Sequence, residues 1–260
     1  MDKIILLDSN SLVNRAFYAL PPLTTVDGLY TNAIHGFISM LNRLILEEKP
    51  THICAVFDEK ADTFRKAVYS EYKANRKGMP DELAVQLDPL KTLLRSMGIK
   101  VLSKPGYEAD DIIGTLAKRF NEPSIIVTGD KDSLQLLDSS TRVFYTRIGV
   151  TDIVKYDCDK LLEESLTPQK IIEFKALAGD ASDNIPGAKG IGKITAMKLL
   201  DEYGCVENIY ENIDEIKGSV KDKLIAAKEM VFLSKKLATI DLNADIECVL
   251  SDIKFSYPLP

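Results

Sequence analysis

Three short apolar runs, each closing on an aspartate, constrain this chain more than any other feature: Ile4-Ile5-Leu6-Leu7-Asp8, Ile53-Cys54-Ala55-Val56-Phe57-Asp58 and Ile125-Ile126-Val127-Thr128-Gly129-Asp130. Unbroken apolar runs of this length suit strands buried on both faces of a parallel sheet. Between them, residues 33–46, 83–97 and 110–120 repeat apolar side chains at three- and four-residue spacing, which predicts helices. The alternation implies an α/β fold with a mostly parallel central sheet flanked by helices. Such sheets bind ligands outside the carboxyl ends of their strands, so Asp8, Asp58 and Asp130 are expected to crowd one edge. From Thr167 onward the pattern is helical, over residues 168–178, 191–203 and 220–233. The expected division is an α/β core over 1–166, including a basic segment at about 60–80, and a helical region over 167–260.

A chain of 260 residues that is 45% hydrophobic can bury one sizeable core, or a main domain with a small appendage. No apolar run reaches the roughly 20 residues that span a bilayer. Nor does the N-terminus read as a signal peptide, so no membrane partner is expected. Cys54, Cys158, Cys205 and Cys248 form no CxxC pair. They read as reduced, mostly buried thiols of a cytoplasmic protein, rather than a disulfide framework or zinc site. With only His35 and His52 present, a histidine-rich metal site is excluded. The net charge of −6 at first argues against a nucleic-acid partner, but charge is segregated: residues 60–77 carry six bases against two acids, a local +4. Residues 63–79 are also poor in core-forming side chains, so an exposed, mobile segment is expected there.

Further acids gather in Glu108-Ala109-Asp110-Asp111, Asp130-Lys131-Asp132 and Asp180-Ala181-Ser182-Asp183. Hard cations such as Mg²⁺ and Mn²⁺ prefer carboxylate and water oxygens, so a site rich in Asp and poor in His or Cys suits them. Two such ions about 4 Å apart can activate water and stabilise a departing oxygen in phosphodiester hydrolysis. Each cluster alone also fits turn or helix-capping chemistry. Three strand-end acids on one edge, with three further clusters, favour a metal site.

Gly187-Ala188-Lys189-Gly190-Ile191-Gly192-Lys193 invites comparison with a P-loop. The match fails, because Ile194 replaces the Ser or Thr that would bind Mg²⁺ and Asp183-Asn184-Ile185-Pro186 is not a buried strand. Glycines between helices fit a helix–hairpin–helix at 184–200, whose backbone N–H groups could hold a phosphate without reading bases. A plain helix–helix turn fits as well; Lys189, Lys193 and Lys198 favour phosphate contact.

The ordered set of motifs resembles the 5′ nuclease domain of bacterial DNA polymerase I, within the flap endonuclease family. It comprises Leu7-Asp8-Ser9-Asn10, Val56-Phe57-Asp58, Tyr72-Lys73-Ala74-Asn75-Arg76, Gly106-Tyr107-Glu108-Ala109-Asp110-Asp111, Thr128-Gly129-Asp130-Lys131-Asp132 and Gly179-Asp180-Ala181-Ser182-Asp183-Asn184-Ile185-Pro186-Gly187, running nearly end to end. The resemblance implies an α/β nuclease core with a helical arch and a helical DNA-binding element. It assigns Asp8, Asp58, Glu108 and Asp110 to a first metal site, and Asp130, Asp132, Asp180 and Asp183 to a second. Asp111 matches an acid common in the bacterial branch. Tyr72, Lys73 and Arg76 fall in the arch through which a 5′ single strand passes, Lys73 and Arg76 acting on the scissile phosphate, with Arg65 a further phosphate contact. Gly187, Lys189, Gly190, Gly192 and Lys193 match the hairpin that grips duplex backbone, often with a monovalent cation such as K⁺. Two or more Mg²⁺ or Mn²⁺ ions are implied, as are 5′-flap, nicked or branched DNA and RNA–DNA primer strands as substrates, on a monomer that could be linked to a polymerase.

Departures are few. Ser133 stands where the family has a larger apolar residue, and the chain ends at Ser256-Tyr257-Pro258-Leu259-Pro260, about where a polymerase would continue. A junction-binding paralogue without catalysis would lack one or more of the acids, and none is missing. An α/β phosphatase using Asp8 as nucleophile would carry a second Asp where Asn10 stands. A nuclease acting on RNA fits the same acids.

Overall fold

A computed structural model of the protein describes residues 2–149 and 151–256; Tyr257-Pro258-Leu259-Pro260 lie outside the described residues. Among the described residues six strands form one sheet: β1 (Ile4–Asp8), β2 (His52–Val56), β3 (Lys100–Leu102), β4 (Ser124–Thr128), β5 (Thr141–Ile148) and β6 (Asp152–Tyr156). The helices are α1 (Ser9–Ala19), α2 (Asn32–Glu48), α3 (Phe64–Val68), α4 (Asp81–Ser96), α5 (Ala109–Phe120), α6 (Cys158–Glu163), α7 (Pro168–Ala178), α8 (Lys193–Tyr203), α9 (Val206–Glu211) and α10 (Ser219–Ala238). None among the described residues is long and apolar enough to cross a membrane.

The sheet order is β3-β2-β1-β4-β5-β6, parallel throughout except for the antiparallel β5–β6 pair. The three predicted strands are β1, β2 and β4, which lie side by side with every residue buried. Burial on both faces explains why their sequences are uniformly apolar. Their carboxyl ends therefore share one edge, as expected.

The chain divides into two compact units. The first joins Met1–Ala61, Gly78–Lys160 and the segment from Asp241 onward, and holds the sheet. Its core gathers Ile5 and Leu7 of β1, Ile53 of β2, Val127 of β4, and Phe37, Met40, Leu41 and Leu44 of α2. The second joins Asp62–Lys77 with Leu161–Ile240, around a core that includes Leu177, Ala196, Leu200, Ile209 and Val231. This division differs from the expected one in two places. The basic segment packs with the helices rather than the sheet, and residues 241–256 pack with the sheet rather than the helices. Both reassignments have named anchors. Arg65 and Tyr72 are 2% and 4% exposed within the second unit. In the first, Arg119 donates to the carbonyl of Ile246 at 2.6 Å, and Phe255 N donates to Thr51 O at 2.8 Å. The expectation of an exposed segment at 63–79 is thus corrected at Arg65 and Tyr72. The segment holds the five-residue α3 and a run of turns, with one of its three aromatics, Tyr72, and one of its bases, Arg65, turned inward.

Candidate metal centre and nucleic-acid interface

Local chain chemistry delivers the acids of the first unit to the sheet edge. Asp8 ends β1 and caps α1, accepting from Ser11 N at 3.3 Å. Asp130 follows β4 and caps the short 3-10 helix Lys131–Leu136, accepting from Asp132 N at 2.9 Å. Glu108 precedes α5, and its N–H donates to Asp111 Oδ2 at 3.0 Å. Asp58 reaches the same helix start, accepting from Ala109 N at 2.8 Å. Capping was the plain alternative to metal binding for these acids; here it is the means by which they are gathered.

Gathering them is electrostatically costly. Asp8 is 8% exposed, and burial, reinforced by repulsion from Asp58 and Asp130, pushes its carboxyl up to about 7 against hydrogen bonds that lower it. Those bonds come from Thr128 Oγ1 at 2.6 Å and from Ser11 N. Carboxylate oxygens of Glu108, Asp110 and Asp111 lie within 4.8 Å of one another. A divalent cation relieves this crowding, and an all-oxygen donor set suits Mg²⁺ or Mn²⁺ better than a thiophilic metal. The residues present fit the ions that the sequence implies.

Asp111, one of the three grouped acids, also has a structural part. It is fully buried, with Oδ2 accepting from Glu108 N and Oδ1 from Asp241 N at 2.8 Å. Both oxygens accept from backbone amides, so Asp111 also ties α5 to the segment that follows Asp241. Several polar residues that support the acids were not singled out beforehand. Thr128 is fully buried and both donates to Asp8 and accepts from Asp130 N at 2.9 Å. Asn10 accepts from Asp58 N at 3.3 Å, and Ser11 Oγ accepts from Gly129 N at 2.9 Å. Thr128 and Asn10 stood inside the recognised motifs; Ser11 carried no signal of its own.

The second unit holds the remaining acids on the loop between α7 and α8. Asp180 pairs with Lys175 and accepts from Ser182 N at 2.8 Å. Burial would raise its carboxyl, but Lys175 and Ser182 outweigh that and bring it down to about 2. Asp183, 5% exposed, is paired with Arg76 and has Lys73 Nζ at 3.7 Å and Tyr72 Oη at 3.5 Å. The loop turns tightly: a Cβ on Gly187 would fall 2.3 Å from Gly179 N, and both glycines have positive φ.

Of the expected DNA contacts, Lys73 and Arg76 keep side chains that are 24% and 49% exposed. Tyr72 does not: its ring packs among Ile185, Leu237 and Ala238. Arg65 does not either. Its Nε donates to Leu237 O at 2.9 Å and its Nη2 to Thr239 O at 2.8 Å, so its guanidinium ties α3 to the end of α10 rather than facing a phosphate. At the hairpin, Lys189, Gly190, Gly192 and Lys193 are exposed while Gly187 is buried. Gly192 caps α8 without a side-chain bond, leaving the first-turn amides of that helix open to an anion. Lys223, not anticipated, donates to Gly190 O at 3.2 Å.

Comparison with known proteins agrees with this geometry. Residues 3–166 match the 5′-3′ exonuclease N-terminal resolvase-like domain, and residues 166–259 the 5′-3′ exonuclease C-terminal SAM fold. The chain is 43% identical to DNA polymerase I of Caldicellulosiruptor bescii and 45% identical to that of Bacillus caldotenax, in each case over 97% of this chain. It spans 30% and 29% of those polymerases' lengths. The fold is similar to that of a T5 5′-exonuclease structure with bound zinc (TM-score 0.75, 22% identity, 92% of this chain and 90% of that one). It is also similar to the catalytic core of Rad2 in complex with DNA substrate (TM-score 0.57, 16% identity, 100% and 84%). Two adjoining domain matches that between them cover nearly the whole sequence place the chain in the 5′-3′ exonuclease family.

Proposed function

We propose that this chain is a divalent-metal-dependent, structure-specific 5′ nuclease, hydrolysing DNA phosphodiesters at nicks, 5′ flaps and branched duplexes to leave a 5′ phosphate and a 3′ hydroxyl. The observation that carries this reading is that Asp8, Asp58 and Asp130 meet at the carboxyl ends of adjacent parallel strands, Asp58 also reaching the α5 start that bears Glu108 and Asp110, with Asp8 pushed to about 7 by burial reinforced by repulsion from Asp58 and Asp130. Two bound Mg²⁺ or Mn²⁺ ions would supply an activated water and offset charge on the departing oxygen. In this reading those acids, with Asp132, hold the ions, and Thr128 and Ser11 keep Asp8 oriented. Asp180 and Asp183 are proposed as further metal-supporting acids. Lys73 and Arg76 act on charge developing at the scissile phosphate. Lys189, Lys193 and the amides at the start of α8 hold duplex backbone without reading sequence. Lys223 already provides one cation at the Gly190 carbonyl, the kind of oxygen a K⁺ ion would use. RNA–DNA primer strands are proposed as further substrates. We also propose a monomer working in the cytoplasm, joined to or alongside a polymerase, which the relatives support because each is a DNA polymerase I.

A 5′-labelled flap duplex incubated with Mg²⁺, or with chelator, tests the reading by product size. Cleavage near the flap junction is expected with Mg²⁺ alone. Asp130→Ala should lower kcat by more than the roughly 100-fold at the upper end for metal-site supporting residues, while leaving the far-ultraviolet circular dichroism unchanged. Full cleavage by that variant, or in chelator, would refute the assignment.

A further inference from the structure

We propose that Asn75 and Asn184 are positioning residues, forming a reciprocal amide clamp that locks the basic turn at 71–76 to the acidic loop at 180–184. This rests on the nuclease reading above and deepens it. Asn75 Nδ2 donates to Ala181 O at 2.7 Å, and Asn184 Nδ2 donates to Glu71 O at 2.7 Å. Each side chain thus reaches into the other segment's backbone, across 106 and 113 residues of sequence. Between them, Lys73 N donates to Asp183 O at 2.9 Å. Three hydrogen bonds to backbone carbonyls therefore join the segments, two of them from uncharged side chains, beside the contacts of the Asp183 carboxylate with Tyr72, Lys73 and Arg76.

The backbone carries a second mark of this arrangement. Lys73 and Asn184 both adopt left-handed conformations, with φ of 54° and 55°. Asn tolerates that region more readily than a long side chain such as Lys. A residue held there persists where its surroundings over-determine it, and the clamp provides that constraint on either side of Lys73. The result is that Lys73 and Arg76 ride with the loop bearing Asp183 as one body, presenting their charge from a fixed place.

Both amide bonds lie at the surface, where a single hydrogen bond adds little net stability. Their loss should barely affect folding. It should matter for placement, since a displacement of about 1 Å can cost about 100-fold in rate. Asn75→Ala and Asn184→Gly are the informative variants, the glycine preserving positive φ at 184. Hydrogen exchange should quicken in both segments together in either variant, with a melting temperature lowered by no more than about 2–4 °C. On a 5′ flap, kcat should fall about tenfold or more with KM little changed. Asn75→Asp, which cannot donate, should behave like the alanine variant. Arg76→Ala should cost less in the Asn75→Ala background than in wild type, because the two act through one arrangement. Faster exchange confined to the mutated segment, an unchanged kcat, or an undiminished Arg76→Ala effect would overturn the clamp. If the wild-type protein fails to cut the flap, the nuclease reading falls, and the exchange result alone decides the clamp.

Discussion

Asp8 stands where a helix cap and a charge cluster coincide. Its carboxylate accepts from Ser11 N and Thr128 Oγ1, both of which favour ionisation, yet burial and the carboxylates of Asp58 and Asp130 prevail and raise it to about 7. In the unfolded chain the same group titrates near its ordinary value of 3.8. Without a cation, the folded state therefore holds an extra proton between those values, and stability falls as pH rises through that window. Below 3.8 the group contributes no difference, and above about 7 the penalty is complete. Asp8→Asn should accordingly stabilise the chelated protein at pH 8, by at most on the order of 4 kcal/mol, and have little effect at pH 4. Urea titrations at the two pH values check this; an equal effect at both would show that repulsion does not set the energetics. Asp8 was recognisable beforehand because it ends an apolar run. Thr128 was not, since a threonine in a strand is ordinary until its hydroxyl is seen between two carboxyl-bearing residues.

Helix starts do much of the work at the next level. α1, α5 and the 3-10 helix after β4 each begin with an acid, so the same N-terminal preference that stabilises the element also aims a carboxylate at the sheet edge. Such starts are readable from sequence, and α7 was anticipated to the residue while α2, α4 and α5 shifted by one or two. The edge strands were missed: β3 has three residues, and β6 is only partly buried along most of its length. Their sequences therefore lack the continuous apolar signal of β1, β2 and β4. Short α3 went unrecognised for a related reason, because five residues hold little periodicity. Its stability comes from Arg65, whose bonds to the carbonyls of Leu237 and Thr239 lie 172 and 174 residues away. Arg65→Met should thus destabilise the protein by roughly 2–3 kcal/mol through the abandoned carbonyls, with DNA binding per folded molecule unchanged. Thermal melting beside fluorescence anisotropy on duplex DNA separates these effects; a binding loss without a stability loss would restore Arg65 as a phosphate contact.

Across the whole molecule the chain leaves and re-enters each unit. Asp62–Lys77 belongs with the helices although it lies between β2 and α4, and the segment from Asp241 returns to the sheet unit through Asp111, Thr115 and Arg119. A cation bound among the acids stabilises the folded state by mass action, about 2.7 kcal/mol at a hundred times its Kd. Because Asp8 keeps a proton below about 7, that cation must displace it at low pH. Mg²⁺ should therefore raise the calorimetric Tm more at pH 8 than at pH 5.5, and Asp8→Asn should lose most of the gain. A pH-independent shift would mean that Asp8 takes no part in binding. The sequence by itself determined the fold class, the three buried strands and the aspartates that follow them. Periodicity and capping are local properties, and parallel strands carry their carboxyl ends to a common edge. Only the tertiary structure decided that Arg65 and Tyr72 serve the interior and that Asp111 also ties α5 to the segment after Asp241. It alone also decided that Asn75 and Asn184 join distant segments, because a side chain's partner more than a hundred residues away leaves no trace in local spacing.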